Sequence, residues 1–368
     1  MKKLEVRIAD LDEHGSSAPD GEVNALLQEL KDEKYKNEWF RSPVIRAFLN
    51  EHVVSSGVVP DCIIEAVEDS NQEMEDCGLS ASARQRFLEE IDKNGAINSL
   101  HSYLISGSEL MDSARKGGEV METFAQRNFH NSNYYFTKFT EWFITKSFVN
   151  SYEDAVVVDI GSAYNGFGKY VKKATQAKEI NLVDILNPPG RIQIEDRIFQ
   201  VGSDAAKIDD IPSDFADIVC LHNAIEHFAC GSDEGCLREL ERILRPGGKA
   251  LISPFFFEGR YAISLNPISC FFYDSSSEKF IDYLVYQRKK YGAILRFSFG
   301  MISPYAHVYD YTNIERKLNE NCSDLLPKLN KVELTEEELS DQEVFDVPFS
   351  TDLYDKPTFF FLELEKPA

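Results

Sequence analysis

Residues 155–168 read AVVVDIGSAYNGFG, and this stretch decides the fold. It opens with a run of apolar, mostly β-branched side chains that is interrupted only by Asp159. Hydrophobic runs without alternation are typical of strands that are covered on both faces, as in parallel sheets. The glycine-rich turn that follows lets a ligand approach the backbone closely, and the next helix can receive a negative group at its N-terminus. The stretch therefore predicts a buried parallel strand, a ligand-binding turn and a helix.

Strand-like and helix-like segments alternate after this turn. Further strands are predicted at 180–185, 197–201, 216–221 and 249–254. A helix-like segment at 234–244 ends at the stop signal Arg-Pro-Gly-Gly. This alternation predicts right-handed βαβ units in a doubly wound sheet. Such sheets bind ligands beyond the carboxyl ends of their strands, so the strand ends are where a site is expected.

Acidic residues stand at the ends of the first three predicted strands. Asp159 precedes the turn, where it can accept a hydrogen bond from a ligand ammonium group or brace the loop. Asp184 ends the second strand, and its two oxygens match the vicinal hydroxyls of a ribose. Asp204 follows the third strand and can accept from the exocyclic amine of a purine. Each acid alone also fits an exposed strand end, whereas three in order favour one nucleoside-binding site.

Several motifs together resemble the class I S-adenosylmethionine-dependent methyltransferases, in the small-molecule branch of the ubiquinone-biosynthesis type. The motifs are Asp159-Ile-Gly161-Ser, Asp184, Gly202-Ser-Asp204-Ala, Phe215-Ala-Asp217-Ile-Val, Ile225-Glu226-His227-Phe and Leu244-Arg-Pro-Gly-Gly248. They cover residues 150–256. The resemblance implies an α/β, Rossmann-like, doubly wound seven-stranded sheet, with a last helix at 312–330, a strand at 331–336 and an antiparallel last strand at 357–366.

The resemblance also implies a cofactor, S-adenosyl-L-methionine, and the residues that hold it. The cofactor-binding residues are Asp159, Gly161, Ser162, Gly166, Asp184, Ile185, Asp204, Ala205, His222 and Asn223. Ala163 replaces the second glycine that the family usually has in the turn. The same replacement argues against a nicotinamide-dinucleotide enzyme, which requires the full GxGxxG fingerprint.

Two histidines are candidates for catalysis. His227 and His222 can act as general bases, because histidine titrates near neutral pH. In relatives, the position of His227 also has a packing role and that of His222 a contact to the cofactor loop.

A metal site is an open alternative that we do not predict. Glu226 and His227 resemble an acid–histidine pair that holds a divalent ion in some relatives, to which His307 could add a ligand. Asn223 stands where those relatives have a second acid, and amides are weaker ligands than carboxylates. Cys230 and Cys236 could join His227 around zinc, but their spacing is irregular.

The remaining sequence predicts two further regions. Residues 1–130 form a helical accessory or capping region, with helices at 21–36, at 38–53, after Ser82 and at 96–115. Residues 131–368 form the methyltransferase domain, with an aromatic-rich segment at 255–311 on the substrate side. The aromatic side chains of this segment could line a pocket for an apolar acceptor, and Arg260, Arg288 and Lys289 could bind an anionic group on that acceptor. Alternatively, the segment could be a packed subdomain or a dimer surface.

The composition excludes some classes of partner. The chain of 368 residues carries 39 Lys and Arg against 62 Asp and Glu, for a formal net charge of −23. A phosphate-tracking surface needs clustered cations, so neither nucleic acid nor an anionic membrane is an expected partner. Seven cysteines without a CxxC pair, and an N-terminus without an apolar signal region, predict reduced thiols in a cytoplasmic protein.

We therefore expect an S-adenosylmethionine-dependent methyltransferase (EC 2.1.1.-) that acts on a small-molecule or sugar-like acceptor at oxygen. Its partner is the small-molecule substrate, and a homo-oligomer is left open. The alternatives are a catalytically silent methyltransferase-like protein with a binding or regulatory role, and an RNA methyltransferase, which the acidic balance disfavours.

Overall fold

The computed structural model describes residues 7–8, 20–30, 42–54, 61–76, 101–106, 109, 132–162, 166–256, 260–268, 278–298, 305–334 and 359–368. Contacts within the chain divide it into two units. One unit joins residues 1–79 to residues 260–308, and the other joins residues 80–259 to residues 309–368. The predicted division at residue 130 stays a prediction.

The secondary structure is numbered in chain order. The strands are β1 (His101–Ile105), β2 (Val156–Ile160), β3 (Glu179–Glu195), β4 (Ile198–Gly202), β5 (Ala216–His222), β6 (Leu244–Ser253), β7 (Ala262–Leu265), β8 (Ile294–Phe297), β9 (Tyr305–Val308), β10 (Leu326–Leu334) and β11 (Phe359–Glu365). The α-helices are α1 (Asp20–Leu30), α2 (Pro43–His52), α3 (Asp61–Asp76), α4 (Ser132–Val149), α5 (Gly166–Ala174), α6 (Ser232–Ile243), α7 (Glu278–Tyr291) and α8 (Tyr311–Asn321).

The larger unit is built on a mixed sheet with the strand order β1-β10-β11-β6-β5-β2-β3-β4. β2 pairs in parallel with β3 and β5, and β5 pairs in parallel with β6. β11 runs antiparallel to both of its neighbours, β6 and β10. The predicted Rossmann-like sheet with an antiparallel last strand is confirmed.

Within the residues that the structure describes, this sheet has eight strands rather than the predicted seven, because His101–Ile105 pairs in parallel with β10. The predicted helix at 96–115 is therefore wrong at these residues. Tyr103 packs its ring edge-on against Phe361 of β11, with 5.2 Å between ring centroids, and it stacks with Phe148. This tertiary packing overrides the local helical pattern.

β3 continues past Asp184, where the sequence predicted the strand to end. Its first half pairs in step with β4, from Ile180 with Ile198 to Asp184 with Gly202. After Gly190 the chain reverses direction and pairs with β4 from its C-terminal end toward its N-terminal end, where Glu195 lies opposite Ile198. The prolines at 188 and 189 are poor helix formers, and the chain folds back here instead of forming a crossover helix. A Cβ at Gly202 would lie 2.1 Å from the Pro188 carbonyl oxygen, so only glycine fits beneath this bend.

The core of the larger unit lies between the sheet and helices α4 and α5. Trp142 of α4 packs against Phe167 and Tyr170 of α5. All seven residues of β5 are buried, as are four of the five in β2. The continuous apolar runs thus do what the sequence predicted: they form strands that are covered on both faces.

The smaller unit has a three-stranded sheet with the order β8-β7-β9. His307 of β9 is fully buried there, and both of its ring nitrogens face tyrosine hydroxyls. Nδ1 lies 2.7 Å from the Tyr261 hydroxyl, and Nε2 lies 2.8 Å from the Tyr283 hydroxyl. His307 is thus engaged in the packing of this unit, which removes support from the alternative in which it binds a metal.

Two further observations concern membrane spans and cysteines. In the part of the chain that the structure describes, no helix is long and apolar enough to cross a membrane. The five described cysteines, Cys62, Cys220, Cys230, Cys236 and Cys322, are free thiols.

Candidate functional site

A cleft opens at the carboxyl ends of β2, β3 and β4, where the sequence predicted a site. Its walls are Ile160, Gly161, Val183, Asp184, Ile185, Ser203, Asp204, Ala205, His227, Phe228, Ala229 and Ser232. Six of the predicted site residues are among them: Gly161, Asp184, Ile185, Asp204, Ala205 and His227. The other five, Asp159, Ser162, Gly166, His222 and Asn223, are not wall residues. The tips of three neighbouring strands therefore do share one cleft.

The cleft measures about 180 Å³. Pockets that enclose a whole drug-sized ligand measure roughly 300–1,000 Å³. The described walls thus account for part of a ligand the size of S-adenosylmethionine, and the turn residues 163–165 lie outside the described residues.

Gly161 begins the turn after β2 in a left-handed conformation, with φ of +78°. A Cβ atom there would lie 2.6 Å from the Cβ of Ala224. The N–H groups of Gly161 and Ser162 both donate to the Val183 carbonyl, at 2.9 and 3.1 Å. These two N–H groups therefore join β2 to β3, and the expectation that a negative group binds at the N-terminus of the next helix stays a prediction.

We expect Gly161→Ala to destabilise the protein by about 2 kcal/mol or more. The left-handed conformation costs a non-glycine residue about 1–2 kcal/mol, and the contact with Ala224 adds the cost of overpacking. Gly231→Ala is the matched control, because Gly231 has a φ of +88° but a Cβ added there would have nothing within 4 Å. Urea denaturation of both variants measures the difference, and equal losses would contradict the role of the Ala224 contact.

Asp184 lies in the wall of the cleft and is 9% exposed. Its Oδ1 accepts a hydrogen bond from the Leu186 N–H at 2.9 Å, and no described residue donates to Oδ2. Burial raises the pKa of this carboxyl, the Leu186 N–H lowers it, and the charge of Asp159 raises it further. The folded protein therefore keeps the Asp184 carboxylate at a position where burial disfavours its charge. Such a residue is typical of a site that binds a hydrogen-bond donor of a ligand.

Asp204 and its neighbours form a tight turn after β4. The exposed carboxylate of Asp204 accepts from the Ala206 N–H at 2.8 Å. The Ser203 N–H donates to the Asp184 carbonyl at 3.3 Å. This backbone link holds the tip of β4 beside the tip of β3, so both carboxylates belong to one cleft.

Asp159 and His222 lie side by side, buried beneath the cleft. His222 Nδ1 is 3.2 Å from Asp159 Oδ1, and Nε2 is 2.9 Å from the hydroxyl oxygen of Thr145 in α4. Cys220 places its sulfur 3.5 Å from the same Asp159 oxygen. Thr145 and Cys220 were not among the predicted site residues; the two-residue spacing of Cys220 and His222, which puts both on one face of a strand, was the available signal.

Asn223 follows β5 with a positive φ of 49°. Its N–H donates to the Ser253 carbonyl, and its side chain donates to Glu141 Oε1 at 2.7 Å. Glu141 is fully buried in α4. Glu141 was not among the predicted site residues, although a lone acid within an aromatic run marks a position with a polar partner.

Glu226 and His227 lie in a single turn of 3₁₀ helix, Ile225–His227. The side chain of Glu226 is buried, whereas that of His227 is 38% exposed. His227 Nε2 lies 3.6 Å from Glu226 Oε1. His227 therefore combines access to the cleft with a carboxylate next to its ring.

Among the described residues, one group of three potential metal donors comes together, formed by Asp159, Cys220 and His222. The two sets considered from the sequence, Glu226 with His227 and His307, and His227 with Cys230 and Cys236, do not form such a group within the described part of the chain.

Comparison with known proteins agrees with the motifs. Residues 158–252 match the family model described as "Methyltransferase domain". This range falls within the 150–256 of the predicted resemblance and contains β3, β4, β5, three of the five residues of β2 and nine of the ten residues of β6. No curated protein matches the chain.

Solved methyltransferases resemble the chain at low identity. The 1,6-didemethyltoxoflavin-N1-methyltransferase of Burkholderia thailandensis is 12% identical over 73% of this chain and 94% of its own, with a TM-score of 0.39. The geranyl diphosphate C-methyltransferase of Streptomyces coelicolor is 9% identical over 77% and 98%, with a TM-score of 0.36. A putative methyltransferase of Haloferax volcanii, in complex with the activator Trm112, is 14% identical over 70% and 95%, with a TM-score of 0.37.

Proposed function

We propose that this chain is a class I S-adenosylmethionine-dependent methyltransferase that methylates a small-molecule or sugar-like acceptor at oxygen, since residues 158–252 match the family model described as "Methyltransferase domain". The observation that carries the proposal is the cleft at the tips of β2, β3 and β4, with Asp184 and Asp204 in its walls. The net charge of −23 supports a small acceptor rather than a nucleic acid.

The hydrogen-bond acceptors and apolar walls of the cleft fit the adenosine part of S-adenosylmethionine. Asp184 would accept from the ribose hydroxyls, and Asp204 with the Ala205 backbone would bind the edge of the adenine. Ile185 and Phe228 add apolar surface for its faces. When bound, the cofactor supplies an electrophilic methyl group, so the chain mainly has to bind and orient both reactants.

An oxygen acceptor must lose its proton, and His227 is the residue that we assign to remove it. His227 lies in the wall of the cleft and is the more exposed of the two candidate histidines. The buried carboxylate of Glu226 lies beside this ring, with Oε1 3.6 Å from His227 Nε2.

His227→Gln is expected to lower kcat about a hundredfold, because glutamine cannot accept the proton, while the affinity for S-adenosylhomocysteine changes little. General acid–base catalysis is typically worth about 10²–10⁴-fold, and methyl transfer lies at the lower end because the sulfonium is already reactive. His101→Gln, on the exposed face of β1, is the control. Unchanged turnover in His227→Gln would contradict the assignment.

A screen with radiolabelled methyl donor tests the function as a whole. The panel should contain sugars, phenols, carboxylic acids, amines and an RNA pool. We expect label in at least one hydroxyl-bearing small molecule. Label confined to RNA would contradict the small-molecule proposal, and binding of the cofactor without transfer to any member would favour a silent, regulatory protein.

A further inference from the structure

We propose that Glu141 is a positioning residue for the proposed reaction: it holds Asn223 at the tip of β5 and thereby fixes the wall segment, residues 224–229, at the cleft. This role rests on the proposed function, because the wall segment would line the bound cofactor and contains His227. Neither Glu141 nor Asn223 is itself a wall residue. Glu141 therefore acts through the residues that follow Asn223 in the chain.

The anchor is a hydrogen bond between helix α4 and the tip of β5. Asn223 Nδ2 donates to Glu141 Oε1 at 2.7 Å, and Glu141 is fully buried. Burying a carboxylate costs free energy unless it is hydrogen-bonded. A glutamate at this position therefore requires donors, and Asn223 supplies one of them.

The backbone of Asn223 points to the same role for its side chain. Its φ of 49° lies in the left-handed region, which asparagine adopts more readily than most residues that have a side chain. Its N–H donates to the Ser253 carbonyl at 3.0 Å, which ties the turn to β6. Glycine would fit this backbone at least as well, so what the asparagine adds is the hydrogen bond to Glu141.

The wall segment starts directly after Asn223. Ala224 packs on the turn that follows β2, since a Cβ added at Gly161 would lie 2.6 Å from the Ala224 Cβ. The 3₁₀ turn Ile225–His227 comes next, and the His227 N–H donates to the Ala224 carbonyl at 2.9 Å. Residues 227–229 then line the cleft.

The distance along the chain from Asn223 to the wall is short. Only three residues, 224–226, separate Asn223 from His227, and two of them belong to the 3₁₀ turn. A binding or catalytic side chain has to be held within about 0.5 Å of its productive position. The wall residues therefore depend on where the tip of β5 is held, and Glu141 is the side chain of α4 that holds it.

Two substitutions of Glu141 keep or remove the acceptor. In Glu141→Gln the side-chain oxygen can still accept from Asn223, whereas Glu141→Leu has no acceptor. Calorimetric titration with S-adenosylhomocysteine should show an affinity within about threefold of the wild type for Glu141→Gln and a loss of about tenfold or more for Glu141→Leu, since a hydrogen bond to a charged group is worth about that much. Turnover should follow the same order, because His227 moves with the wall segment.

Asn223→Gly tests the other partner of the hydrogen bond. Glycine fits the left-handed backbone, so this variant loses the anchor and keeps the turn. We expect a loss of affinity similar to that in Glu141→Leu and no further loss in the double variant, because both substitutions remove the same interaction. Asp154→Gly is the matched control and should leave the affinity unchanged. Asp154 has a φ of 52° and is exposed, two positions before β2 and at the end of that strand away from the cleft.

Val149→Ala separates positioning from general stability. Val149 is buried at the end of α4, so its truncation should lower the melting temperature and leave the affinity at the wild-type level. Thermal unfolding gives the melting temperature of every variant. If Glu141→Leu does not fold, Asn223→Gly carries the test, and its affinity has to fall about tenfold.

Three results would overturn this role of Glu141. Wild-type affinity and turnover in Glu141→Leu would show that the wall segment does not depend on the hydrogen bond. Additive losses in the double variant would show that Glu141 and Asn223 act separately. A loss of affinity in Val149→Ala as large as in Glu141→Leu would show that affinity follows stability. Failure of the wild type to bind S-adenosylhomocysteine would instead count against the proposed function.

Discussion

Asp184→Asn is expected to weaken the binding of S-adenosylhomocysteine about 10²–10⁴-fold and, at the same time, to raise the melting temperature at neutral pH. The two ribose hydroxyls would lose a charged acceptor, and each hydrogen bond to a charged group contributes about 1.5–3 kcal/mol. The amide keeps an oxygen that can accept from the Leu186 N–H, so the local backbone turn is preserved.

The stabilisation follows from the direction of the pKa shift. Burial raises the pKa of Asp184 in the folded protein, so at pH values between the unfolded and folded pKa the native state binds more protons than the unfolded chain. The stability contributed by this residue therefore falls as the pH rises through that window, and the penalty is fully present at neutral pH. Asparagine carries no charge, so Asp184→Asn removes this penalty.

Calorimetry and thermal unfolding at pH 7 and at pH 4 measure both effects. Asp196→Asn is the matched control, because its carboxylate is 79% exposed. The gain in melting temperature of Asp184→Asn should shrink toward pH 4, where the native carboxyl takes up its proton. Lower stability at pH 7 together with intact affinity would show that Asp184 is a structural acid and not a ligand for ribose.

Lys317→Met is expected to lower the free energy of unfolding by about 3–5 kcal/mol, because it leaves a buried carboxylate without its cation. Lys317 of α8 places Nζ 2.6 Å from Asp233 Oδ2 and 3.5 Å from Glu234 Oε1, both in the first turn of α6. The side chains of Lys317 and Asp233 are each only 1% exposed. Desolvation makes such a pair costly to break, although it is a poor source of net stability when intact.

Urea denaturation of the single and double variants tests this account. Lys317→Met with Asp233→Leu should recover most of the loss, since two apolar side chains replace both charges at once. Lys173→Met, at an exposed position of α5, should change stability by less than about 0.5 kcal/mol. A loss in the double variant as large as in Lys317→Met would show that packing, and not the unpaired charge, is responsible.

Local sequence patterns were sufficient to predict the central strands and the acids at their tips. A run such as VVVDI is too apolar for an exposed position, and parallel strands necessarily bring their carboxyl ends to one edge. That edge holds Asp184, Asp204 and Gly161 in one cleft. The resemblance to methyltransferases then followed from residues that the sheet positions.

Features that depend on pairing between distant segments could not be predicted. Nothing in the sequence of β1 indicates that it pairs with β10, which lies more than 200 residues later. Asp159 and His222 are 63 positions apart, and their contact depends on β2 lying next to β5. Both prolines after Asp184 were visible, but the fold-back of β3 along β4 requires the register of the sheet.

Calorimetric titration of S-adenosylhomocysteine into the wild-type protein tests most directly whether the tips of β2, β3 and β4 hold an adenosine-containing cofactor. We expect saturable binding with one molecule per chain. The absence of binding at millimolar concentration, in protein that melts cooperatively, would contradict it.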